Sequence, residues 1–131
     1  MSSELLFMRL PRFTREEIEA AVSDNDRSKL IYVCLSAAYH GGDWKYAQDL
    51  SISLSNHQDK TVRGNAILAL SYIARSHKML EKHLVEPILL RALRDEEEEF
   101  RMRVMDAIEE INEVMGWDIA EMLLETRRKN T

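Results

Sequence analysis

Two stretches of this chain align without a gap 38 residues apart: "DKTVRGNAILALSYI" from Asp59 and "EEEFRMRVMDAIEEI" from Glu97. Val62 falls on Phe100, Arg63 on Arg101, Ala66 on Val104, Ala69 on Ala107, Leu70 on Ile108 and Ile73 on Ile111. At about 100° per residue the matched apolar positions form one helical stripe. An offset of this size suits a two-helix unit, which buries its apolar face only by stacking on a neighbour and needs end units with polar outer faces. "DRSKLIYVCLSAAYH" reads as a degenerate earlier copy, with Ala37 in the place of Ala69. The pattern predicts an all-α chain: a short α-solenoid of about three helical hairpins in one domain, 1–131. Residues 1–13 read as an N-terminal extension and 127–131 as a frayed tail. Only four Gly and two Pro are present, which leaves little material for β-hairpins.

The joints between helices are signalled locally. Thr14 with Glu17 three residues on is a capping box, in which each side chain satisfies a free amide. Asp24, Asn25 and Asp26 separate that helix from the next, roughly 27–40. Gly41-Gly42 then ends it, and Asp43 caps a third helix, roughly 43–56. Asp59 caps a fourth, roughly 60–77, and a fifth of roughly 80–93 carries Pro87 near its first turn or at a bend. The acidic run Asp95–Glu99 opens a sixth helix to about Met115, which Gly116 closes. Asp118 with Glu121 starts a short last one. In the fourth helix Ile67, Leu68 and Ala74 lie off the main stripe, so it is expected to have neighbours on several sides. The sixth carries its acids opposite its apolar face and reads as an end helix.

Chemistry finds little purchase in this pattern. His40, His57, His77 and His83 have no metal-ligand spacing, and Gly41-Gly42 lacks the following Gly-Lys-Ser/Thr of a phosphate loop. No Ser or Cys sits in a nucleophile context. Cys34 lies in an apolar run and reads as a buried, reduced thiol. The expectation is a non-enzyme with no catalytic residue, metal or cofactor. No apolar run approaches membrane-spanning length and "MSSELLFMRLPRF" lacks a signal-peptide core, so a cytoplasmic protein is expected. The apolar "ELLFMRL" offers an edge for self-association.

Charge narrows the partner class. The net charge is −5, and residues 94–125 hold twelve acids against Arg94, Arg101 and Arg103, a balance of −9. Nucleic-acid binding needs a basic face, so it is not expected. Glu99, Asp106, Glu109, Glu110 and Glu113 should repel one another, which points to a basic protein partner. The same acids also keep an end helix soluble. In "LSAAYHGGDWKYAQDL", Tyr39 and Trp44 flank a turn and Asp43 caps it. Trp44 has two readings, a staple packed over the turn and an anchor for a partner; Tyr72, at the edge of its helix's stripe, would extend such a contact surface.

The residues Asp59, Val62, Arg63, Ala66, Ala69 and Leu70 resemble the second-helix signature of HEAT repeats, and Pro87 in a first helix is similar to that family too. The resemblance is closest over 43–77 and extends to 80–115 and 14–40. It implies that the aspartate caps the helix and the arginine reaches a neighbouring repeat's cap. Glu97 departs from the pattern by replacing the aspartate, which leaves the ladder open at Arg101. "LSAAYHGGDWKYAQDL" followed by "TVRGNAILALSYIARSH" also resembles small bacterial HEAT-like proteins encoded beside secreted polymorphic toxins of the contact-dependent growth inhibition type. That likeness covers roughly residues 26–113. It implies an immunity protein that binds a cognate toxin domain, often a nuclease, and covers its basic cleft with an acidic face. The alternatives are a general adaptor for another basic protein and a HEAT-like chromophore lyase, which would need an accessible thiol or polar group in an apolar groove.

Overall fold

The computed structural model describes residues 9–130. Seven helices are present among them: α1 (Arg15–Asp24), α2 (Arg27–His40), α3 (Trp44–Leu54), α4 (Lys60–His77), α5 (Lys82–Ala92), α6 (Glu98–Met115) and α7 (Glu121–Lys129). No helix among the described residues is long and apolar enough to cross a membrane.

Local chemistry sets most boundaries. The Thr14–Glu17 capping box is formed at both of its bonds. Asp26, Asp43 and Asp59 each accept backbone amides at the start of α2, α3 and α4. At the Gly pair the two residues have different tasks. Gly42 takes a left-handed φ of 75°, whereas Gly41 is right-handed and must lack a side chain, because a Cβ there would stand 2.6 Å from the Ala37 carbonyl oxygen. Gly116 ends α6 in the left-handed conformation, and Asn25 and Lys78 adopt the same region after α1 and α4.

The 38-residue offset carries into three dimensions. α3 and α5 are each 11 residues long, α4 and α6 each 18, and every boundary is displaced by the offset seen in the sequence. α2, α4 and α6 pack in succession as one layer, while α1, α3 and α5 each lie against the helix that follows them. Val62, Ala66, Ala69, Leu70 and Ile73 are buried, and so are their counterparts Phe100, Val104, Ala107, Ile108 and Ile111. Each large aliphatic side chain among them contributes on the order of 1.5–3 kcal/mol by leaving water. α4 touches α2, α3 and α6. Its off-stripe Ile67 and Ala74 are accordingly buried, but Leu68 stays 42% exposed.

Polar side chains tie the units together. Arg63 Nη2 donates to Asp95 Oδ2 at 3.1 Å, and Nη1 donates to the carbonyls of His57 and Gln58. Arg101, its counterpart, donates to the Asp95 carbonyl at 2.6 Å, repeating the local bond to His57 but lacking an aspartate beyond it. At the helix starts, Arg27 pairs with Asp59 and Lys60 with Glu97. The buried Gln48 accepts the Glu81 amide at 2.7 Å and donates to the Glu81 carboxylate at 2.8 Å, so α3 caps the start of α5.

Two expectations at the chain ends need correction. α6 is not the last packed helix: the buried Asn112 amide donates to the Ile119 carbonyl at 2.9 Å and accepts its N–H at 3.0 Å, holding the turn into α7, whose Leu124 is fully buried. Residues 127–129, expected to fray, continue α7, because Arg127 and Arg128 find carboxylates on α6. At the other end Leu10 is buried, and Phe13 N–H donates to Ser36 Oγ at 3.3 Å. The apolar positions 4–8 expected to favour self-association lie outside the described residues.

Asn112→Ala would leave both Ile119 backbone groups unsatisfied, at roughly 2–4 kcal/mol in all. Urea denaturation should register that loss, together with a changed near-ultraviolet signal from Trp117. Asp59 supplies a pH test. The Arg27 guanidinium, and after it the Val62 and Thr61 amides, hold its carboxyl below the ordinary 3.8. Such a group adds stability that is present above its unfolded value and is lost as pH falls through the depressed one. Asp59→Asn still caps α4, and thermal melts from neutral pH to about pH 2 should show a flatter acid limb than in the parent chain.

Candidate interaction face

His40, His57 and the cysteine occupy structural positions. His57 Nδ1 accepts the Asp59 amide at 3.0 Å, which places its proton on Nε2, donated to Asn25 Oδ1 at 2.7 Å. His40 Nε2 donates to the Leu10 carbonyl at 3.1 Å and so pins the segment before α1. Burial pushes the Cys34 thiol up to about 12, so it carries no thiolate at neutral pH. No three His, Cys, Asp or Glu side chains gather as a metal site among the described residues.

The Gly41-Gly42 stretch resolves into a packed corner. Asp43 accepts the Tyr46 amide at 3.1 Å and pairs with Arg15 at 3.0 Å; that amide first, and then Arg15, lower its carboxyl below the ordinary value. The Arg15 guanidinium also lies over the Tyr46 ring, 3.9 Å from its centroid. Trp44 is half-buried against the core. Asp43 and Trp44 therefore belong to the α1–α3 corner and not to the face that gathers the other candidates.

That face is the outer side of the α2–α4–α6 layer. Tyr39 on α2 and Tyr72 on α4 meet with ring centroids 5.4 Å apart, and Tyr39 is 39% exposed. Arg75 lies over the Tyr72 ring and pairs with Glu110 of α6 at 2.9 Å, which carries the face from aromatic to charged. Between α4 and α6 runs a groove of about 180 Å³, lined among others by Asn65, Leu68, Phe100, Arg103, Asp106 and Glu110. Tyr32 and Leu68, both exposed, stand on the same helices. Sequence reasoning missed Tyr32, Leu68 and Asn65. For Tyr32 and Leu68 the available signal was an apolar residue off the core stripe at helical spacing from Tyr39 and Tyr72; the polar Asn65 gave none. Asn65 also donates to the Ile31 carbonyl at 2.5 Å, locking α4 to α2 beneath this face.

The acids do not form the unbroken patch that counting along 94–125 suggested. Glu99 pairs with Arg103 at 3.1 Å, Asp106 with Arg127 at 2.7 Å, Glu109 with Arg128 at 3.7 Å and Glu110 with Arg75 at 2.9 Å. Glu113 is exposed and has no ion pair among the described residues. The expected repulsion is thus relieved within the fold by cations from α4, α6 and α7. Arg128, beside Glu121 first and Glu109 next, has its pKa raised further.

Comparison with protein-family models, with curated proteins and with solved structures gives no match for this chain.

Arg75 is exposed and its partner Glu110 half-buried at the surface, so the pair is largely screened and contributes little to folding. Arg75→Ala should lower stability by no more than about 1 kcal/mol in urea denaturation. It would thereby provide a folded chain with an altered face for binding work.

Proposed function

We propose that this chain is a protein-binding module that acts as a cytoplasmic immunity protein, neutralising a cognate bacterial toxin domain by occupying its basic cleft. The architecture in this reading is a short α-solenoid of three HEAT-like hairpins, α1–α2, α3–α4 and α5–α6, with α7 closing the end. The 38-residue identity of α3–α4 with α5–α6 in length and boundary supports it.

The observation that carries the binding role is the Tyr39–Tyr72 pair beside the exposed Leu68 and the α4–α6 groove, bordered by Arg75, Glu110 and Asp106. Large aromatic groups within a charged surround match the make-up of interface centres. The net charge of −5 favours encounter with a basic partner. Because Asp106 and Glu110 already hold Arg127 and Arg75, an incoming arginine or lysine must exchange with them. Ion-pair exchange of this kind gives selectivity more than affinity. The same internal neutralisation favours one second reading, an adaptor whose partner is not markedly basic. A chromophore lyase draws no support from Cys34, sealed in the core.

The test is co-expression with the toxin domain, followed by pull-down at low and high salt. Tyr39→Ala with Tyr72→Ala should weaken capture at least about tenfold and abolish protection. Joint replacement of Asp106, Glu109, Glu110 and Glu113 by Ala should flatten the salt dependence. Unchanged capture by the folded tyrosine variant would sink the assignment of this face, and salt-insensitive binding by the parent would favour the adaptor.

A further inference from the structure

Two of the cations that answer the acids of α6 come from α7, and they sit on it as they would on a bound ligand. Leu124, Arg127 and Arg128 fall at i, i+3 and i+4, on one side of the helix. Leu124 is fully buried, Arg127 Nη2 meets Asp106 Oδ1 at 2.7 Å, and Arg128 Nε stands 3.7 Å from Glu109 Oε1. Asp106 also lines the α4–α6 groove, so Arg127 reaches the rim of the interaction face.

The helix is held lightly. No residue of α7 other than Leu124 is buried. It starts after Ala120, whose φ of 53° lies in the left-handed region that strains a residue with a side chain, and no side chain caps it. Arg127 Nη1 is enclosed without a hydrogen-bond partner, so its loss of water is not offset. Arg128 is shared between Glu121 and Glu109, with the exposed Glu125 also near it. Asp106 and Arg128 are well exposed, so salt screens both pairs. The root of the helix is different: Asn112 fixes Ile119 with two hydrogen bonds. Ala120 thus stands between a clamped joint and a lightly held helix.

We propose that α7 is a strap that occupies the partner's place on α6 in the free chain and swings out about Ala120 when the partner binds. What displaces it is a basic amphipathic helix carrying the same elements, an aliphatic side chain followed by basic residues three and four positions on. The aliphatic group takes the seat of Leu124, and the two cations take Asp106 and Glu109. Competition from the tethered strap lowers the apparent affinity in proportion to the fraction of chains in which it is open. It also rejects basic surfaces that cannot fill the seat of Leu124, which gives selectivity. The identity of the displacing helix rests on the basic partner proposed above. The strap itself is tested on the purified chain, so the two readings fail separately.

Amide hydrogen exchange of the whole chain, followed by NMR, is the first measurement. Amides of residues 124–129 should exchange at least about tenfold faster than those of α4 and α6, and faster again at high salt. The Ile119 amide should stay protected with α6. Arg127→Glu with Arg128→Glu should strip protection from α7 and leave α4 and α6 as in the parent. A synthetic peptide of residues 121–130 is then the binding probe. It should bind that variant at least about tenfold more tightly than the parent, whose tethered copy competes for the seat. The same peptide with Leu124→Glu should bind neither chain. Arg12→Glu with Lys29→Glu makes the same change in net charge away from α7, and should leave peptide binding within about twofold of the parent. Amides of α7 that exchange as slowly as those of α6 overturn the proposal. So does equal peptide binding by the parent and the strap variant, or an equal gain in the charge control.

Discussion

Ala66, Ala69 and Ala74 have no exposed surface, and their small side chains let α2, α3 and α6 close on α4 from different sides. Interhelical distance is set by the side chains at the contact, so bulkier residues there would hold the neighbours apart. Leu70 and Ile73, also fully buried, fill the space between. Around this central helix the rest of the architecture is arranged. α6 repeats the contact α4 makes with α2, α3 leans on α4 as α5 leans on α6, and Arg63 spans from α4 to the joint before α6.

Several ion pairs lie within a helix, as Glu99–Arg103 does, but the other paired carboxylates of α6 find their cations on neighbouring helices. α6 alone carries a concentration of carboxylates that would repel. Its fold places Arg75 of α4 against Glu110, Arg127 of α7 against Asp106 and Arg128 against Glu109. Most of these groups are well exposed, so the pairs add little stability. What they do is fix which charges the surface presents and in what geometry. The same pairing gives α7 its orientation, with the basic side inward and Met122 and Leu123 outward.

The corner at Gly41-Gly42 illustrates how local chemistry and tertiary contact share a residue. Asp43 as helix cap was legible from its position after the Gly pair. That it also holds Arg15 of α1, and that Arg15 stacks on Tyr46, depends on the first hairpin folding back to that spot. Gln48 and Asn112 gave no signal of their importance. A buried amide is identified by the backbone groups it satisfies, and those of Glu81 and Ile119 are brought to it only by the fold.

By itself, the sequence determined the helices, the caps of α1 to α4 and the 38-residue repeat; the last helix begins after a left-handed Ala120 without a side-chain cap, and not at Asp118 as its position suggested. These follow from periodicity, capping residues and left-handed positions, which act within a few residues of chain. It also determined which stripe of α4 and of α6 is buried, since apolar spacing states that without reference to a neighbour. Only the tertiary structure decided the rest: that 127–129 extend α7, that the acids of α6 are paired, that Leu68 remains exposed while Ile67 does not, and that Tyr39 meets Tyr72 across two helices. Each of these depends on where a second element lies, and contacts between residues about 20 or more positions apart leave no local pattern in the chain.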